Sequence, residues 1–141
     1  MFITNCDMYN EEQKILFTYS PELDASFLQE LYGEDLQQAE MVFESSAQQL
    51  KSELSLAEAR FHDGDIPGLK KVVHKMKPLF GYIGMNKIMS EFAAFEQECA
   101  QATEPAIVES GFQRLRMITE EALQKVDSET KRLKQYNTQY L

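Results

Sequence analysis

The fold is decided by LQQAEMVFESSAQQLKSELSLAEARF, residues 36–61. Its apolar positions are Leu36, Ala39, Phe43, Ala47, Leu50, Leu54, Ala57 and Phe61, separated by steps of three and four. That spacing keeps one stripe on a single helix face for about seven turns. Glu34 and Asp35 stand at the start, where carboxylates favour the positive end of a helix. His62-Asp63-Gly64-Asp65 then interrupts the pattern as a turn, and His62 is most simply a turn residue. A helix with one apolar face must bury that face against others.

The flanking sequence supplies the partners. Ser20-Pro21-Glu22 reads as a helix start, with Leu23, Phe27, Leu28 and Leu31 as a short apolar face and Gly33 as its end. A third helix is expected from 66 to about 80. A fourth runs over 85–100 with Ile88, Phe92, Phe95 and Cys99 at helical spacing. Thr103-Glu104-Pro105 opens a fifth, whose stripe is Val108, Phe112, Leu115, Ile118, Ala122 and Val126. Its polar end, 127–141, is expected to fray or project, and Gly111 within it suits a close helix contact. Residues 14–19 are the sole candidate strand, too little for a sheet. The expected fold is all-α: an antiparallel four-helix bundle with a short N-terminal capping helix. The bundle spans 20–137, preceded by an arm (1–19) and followed by a tail (138–141).

Composition limits the function. The 141 residues suit one domain, and 43% apolar with 26% charged residues is ordinary for a globular chain. A net charge of −9 makes nucleic acid a poor partner. The chain opens without a basic leader and apolar run, and no stretch approaches the ~20 apolar residues of a membrane span. Cys6 and Cys99 belong to no C-x-x-C pair, and the expectation is reduced thiols in the cytoplasm. There is no G-x-x-x-x-G-K-[ST] loop, no zinc-type Cys/His spacing and no Glu-x-x-His motif, so no nucleotide or metal is expected. A monomer is the simplest expectation for a closed bundle.

One stretch of the third helix stands apart, VVHKMKPLFGYIGM, residues 72–85. On a helical wheel Leu69, Val72, Val73, Met76, Leu79 and Phe80 fall roughly 140–260° from His74. The histidine therefore points away from the core. Lys70 and Lys71 lie one turn before it, Lys77 and Pro78 one turn after, and Lys75 to one flank. Ammonium groups nearby disfavour the imidazolium, which leaves a ring nitrogen with a free lone pair. Such a nitrogen is a nucleophile, and the same lysines would attract and neutralise a phosphoryl group. The plainer reading is a solvated, lysine-rich face that happens to hold one histidine.

His74, Lys77 and Gly84 form H-x-x-K-x6-G between two apolar helices. This resembles the histidine phosphotransfer (HPt) domain of multistep two-component relays, over about residues 23–133. The resemblance implies a four-helix bundle with the phosphorylated histidine on its second long helix. It also implies an acid or amide on the next helix that hydrogen-bonds the imidazole, at the position of Glu96; the alternative for Glu96 is a solvated helix acid. Pro78 and Leu79 depart from the pattern, since glycine and a small residue are common there. Proline at 78 cannot donate to the His74 carbonyl, which puts partner choice in doubt more than chemistry. Gly81 would loosen the turn and Gly84 would allow the passage between helices.

By that resemblance the chain is a phosphocarrier and not an ATP-using enzyme. It would take a phosphoryl group from one response-regulator receiver domain, supplied by a hybrid histidine kinase, and give it to another. His74 would be the acceptor and Lys77 the neutralising cation. The docking surface would be Lys70, Lys71, Lys75, Pro78 and Gly81, with an apolar area from Phe80 or Tyr82. The carrier needs no cofactor of its own, because Mg²⁺ belongs to the receiver. A second reading is a helical adaptor that binds a receiver or a partner helix without being phosphorylated.

Overall fold

The computed structural model describes residues 16–140. Most of the arm expected over 1–19, Cys6 included, and the start of the candidate strand fall outside the described residues. Five α-helices run in chain order: α1 (Ala25–Tyr32), α2 (Leu36–His62), α3 (Ile66–Tyr82), α4 (Asn86–Gln101) and α5 (Glu109–Tyr140). A 3₁₀ turn, Pro105–Val108, leads into α5. Among the described residues there is no strand, and no helix is long and apolar enough to cross a membrane. The all-α bundle with a short capping helix is the observed fold.

Neighbouring long helices are antiparallel, as their short connections require. α2 packs on α3 and α5, α3 packs on α4, and α4 meets α5 more loosely. Phe61, at the end of α2, stacks on Phe112 near the start of α5, with ring centroids 4.6 Å apart. At the other end Asn137 Nδ2 donates to the Leu36 carbonyl at 2.9 Å. The core is built from the periodic stripes: Leu36, Ala39, Phe43, Leu50, Leu54 and Ala57 of α2 are buried, and Phe92, Phe95 and Cys99 of α4 join them. Burial pushes the Cys99 thiol up to about 11, so it stays protonated and inert near neutrality.

Helix starts follow side-chain capping. Asp35 and Asp65 accept from the backbone N–H of Gln38 and Gly68, at 3.1 and 3.0 Å, satisfying donors that each first turn leaves open. Asp24 precedes α1 but caps a different helix. Its Oδ2 accepts from Asn86 N–H at 2.9 Å, at the start of α4, while its own N–H donates to the Gly84 carbonyl at 2.7 Å. Tyr32 Oη donates to the Tyr82 carbonyl at 2.6 Å. α1 is thereby latched onto the turn that joins α3 to α4.

Several expectations are corrected. α1 begins at Ala25, after a turn, and not at Pro21. Of its apolar face only Leu23 and Leu28 are buried; Phe27 and Leu31 are exposed. The polar end of α5 neither frays nor projects: it stays helical to Tyr140 and buries Glu129, Thr130, Leu133 and Asn137. Most of the polar groups there have partners, although Asn137 Oδ1 meets no donor among the described residues. Glu129 accepts from Ser20 N–H at 2.7 Å and from Arg132, and Arg132 also donates to the Thr18 carbonyl at 2.9 Å. The end of the expected arm therefore lies against the bundle, where Tyr19 is buried and stacked on Phe43. Gly111 is a close helix contact, since a Cβ there would stand 3.0 Å from Phe95 and Glu98 side-chain atoms.

Gly84 has φ +72°, and a Cβ on it would lie 2.6 Å from Leu28 Cδ1. Gly84→Ala should therefore combine left-handed strain with a steric clash against α1 and lower stability by about 2–4 kcal/mol. Urea unfolding followed by circular dichroism would read this as a lower midpoint. An unchanged midpoint would mean that α1 yields without loss.

Candidate functional site around His74

His74 sits mid-way along α3, on the face opposite Val72, Val73 and Met76, all of which are buried. Its side chain retains 71% of its exposure. The helix continues unbroken through Pro78 to Tyr82, even though proline removes the donor for the His74 carbonyl. The flanking residues divide by side. Lys77 leans toward α4, and Lys75 leans toward α2.

On the α4 side Glu96 is 8% exposed, so the solvated-acid reading fails. Its Oε1 lies 3.0 Å from His74 Nδ1 and its Oε2 3.0 Å from Lys77 Nζ. A carboxylate at this site only accepts, so in the neutral ring Nδ1 carries the hydrogen and Nε2 keeps the lone pair. Nδ1 is engaged and the ring is exposed, so the free nitrogen is the one that meets solvent. One buried acid thus fixes a tautomer, a ring orientation and a neighbouring cation. Lys77 is only 20% exposed and already paired with Glu96. It borders the ring through Glu96.

On the α2 side Lys75 Nζ stands 3.6 Å from Glu53 Oε1, and the Glu53 side chain is 13% exposed. Sequence reading passed over Glu53. The available signal was its place three residues after Leu50 and four before Ala57, at the edge of the α2 stripe that turns toward α3. Lys71, Lys75, Pro78 and Tyr82 are exposed in a strip beside His74, and Lys70 is half-buried. Between Asp65 and Glu91 the chain carries five lysines and no acid, in a protein of net charge −9. The strip is a local cationic surface on an acidic molecule.

Two residues placed at this surface by sequence are elsewhere. Phe80 is fully buried and packs edge-on to Phe92, so it offers no docking area. Gly81 is buried too; a Cβ there would meet Asn86 and Met89 at ordinary contact distance, and its part is to let α3 end close to the start of α4. The apolar area is instead a shallow groove between α2 and α3, where Met41, Val42 and Leu79 lie beside Tyr82. Met41 and Tyr82 are 71% and 47% exposed. Gly84 makes the positive-φ turn expected of it.

No protein-family model, curated protein or solved structure matches this chain.

The Glu96 contact makes a prediction independent of function. In ¹⁵N spectra of the neutral ring, His74 should be predominantly the Nδ1–H tautomer, and Glu96→Ala should move it toward Nε2–H. A tautomer ratio indifferent to Glu96 would show that the contact does not hold in solution.

Proposed function

We propose that the chain is a histidine phosphocarrier that relays a phosphoryl group between receiver-domain aspartates through His74. The observation that carries this reading is an exposed imidazole whose Nδ1 is occupied by a buried carboxylate, leaving Nε2 as an outward nucleophile.

In the forward step Nε2 attacks the phosphorus of an aspartyl phosphate in line. The bond from phosphorus to the aspartate oxygen breaks, and its electron pair leaves on the carboxylate. The Nε2–P bond makes the ring a cation with its hydrogen still on Nδ1, facing Glu96. That carboxylate stabilises the positive charge as it develops, a larger effect near a protein interior than in water. Lys77 offsets the phosphoryl charge. Onward transfer reverses each step on a second aspartate. The receiver brings Mg²⁺ and the acidic pocket.

The same arrangement favours an acidic partner. Lys71 and Lys75 flank His74 on the exposed side, and the Met41–Tyr82 groove adds apolar contact one to two turns further along. Cationic patches on acidic proteins steer association and are screened by salt.

Incubation with a ³²P-labelled receiver domain should place acid-labile, base-stable label on the chain, and His74→Gln should abolish it without loss of helix content. Lys77→Ala should slow transfer by about tenfold, the equivalent of ~1.4 kcal/mol in the barrier. Label on another residue, or full transfer by the His74 variant, would reject the assignment; receiver binding without label would favour the adaptor reading. Raising ionic strength from about 50 to 500 mM should weaken receiver binding several-fold, since the Debye length shortens severalfold. Binding indifferent to salt would assign the interface to the apolar groove.

A further inference from the structure

The two acids that flank His74 are not equivalent. Glu96 has both oxygens 3.0 Å from a nitrogen donor. Glu53 has one oxygen 3.6 Å from Lys75 Nζ, beyond hydrogen-bond length. Its other oxygen, Oε2, is buried and meets no donor among the described residues. Keeping a nearly buried carboxylate half satisfied costs stability. An uncharged side chain would pack at that edge of α2 without such a cost. The cation that Glu53 faces is the residue next to His74, 61% exposed at the end of a flexible four-carbon stem.

We propose that Glu53 is a positioning residue that holds the Lys75 ammonium on the α2 side of His74 and competes for it with a phosphoryl group on Nε2. The inference rests on the phosphocarrier reading and concerns how firmly the group is kept. In onward transfer the Nε2–P bond breaks, its electron pair returns to Nε2, and phosphorus bonds to the receiver's aspartate oxygen. A phosphoryl group clasped by Lys75 resists that step. Glu53 draws the ammonium the other way, and any ammonium surrendered to the phosphoryl group leaves Glu53 uncompensated. Both effects raise the free energy of the phosphorylated form and keep it a ready donor. Lys77 cannot serve this purpose, because Glu96 also holds the imidazole and its loss would disturb the nucleophile itself.

The test is the equilibrium distribution of label between the chain and a receiver that exchanges label with the wild-type protein, both dilute enough that their complex is negligible. Glu53→Gln keeps the side-chain shape and removes the charge, and should shift the ratio about three- to tenfold toward phospho-His74. In a Lys75→Met background the same substitution should shift it less than about twofold, because the ammonium it would release is gone. Lys75→Met alone should shift the ratio toward the receiver, and this exposed position tests the idea even if Glu53→Gln folds poorly. An unchanged ratio in Glu53→Gln overturns the proposal. So does an equal shift with and without Lys75, which would be direct repulsion, or no shift in Lys75→Met. If the wild-type chain accepts label from no receiver, the phosphocarrier reading fails and takes this with it; label on wild type with a null result in the variants removes this proposal alone.

Discussion

Everything at the site depends on a single buried carboxylate. Glu96 binds His74 through one oxygen and Lys77 through the other, each at 3.0 Å. Burying an acid is unfavourable unless its lone pairs are met by donors. Here the donors are an imidazole and an ammonium from α3, so the same contacts that make Glu96 tolerable in the bundle also aim the ring. Removing either donor would leave a costlier acid, and removing the acid would free the ring to turn. The packing requirement and the chemical arrangement are one constraint seen from two helices.

That constraint is met only if α3 and α4 keep their register. The turn between them is short, and Gly84 makes it with a positive φ that other residues rarely adopt. α1 closes over it through Leu28, Asp24 and Tyr32, so a helix with little core of its own secures the hairpin that carries the site. Asp24 caps α4 because Met85, at that helix's own start, has no capping side chain.

The bundle was largely legible from sequence because apolar steps of three and four report directly on helix faces, as in the α2 stripe. The wheel also aimed His74 outward correctly, and the Glu96 position lay at the edge of the Phe92–Phe95 stripe. What escaped the pattern depends on partners remote in the chain. The end of α5 reads as polar, yet Asn137 is buried because the Leu36 carbonyl and Glu40 accept its hydrogens, and Glu129 because Ser20 and Arg132 donate to it. Phe27 and Leu31 have helical spacing but stay exposed among the described residues. Glu53 was passed over because only the packing of α3 brings Lys75 across from it. Periodicity assigns faces, while pairings between faces come only from the tertiary arrangement.

Pro78 marks the main chain of the lysine-rich strip as well. Having no N–H, it leaves the carbonyl of His74 without its usual intrahelical donor, although α3 continues past it. The main chain of α3 thus loses one rung at the residue whose ring Glu96 holds, while the helix continues on either side. The aim of the ring therefore rests on the contact across to α4, and not on an unbroken ladder of hydrogen bonds within its own helix.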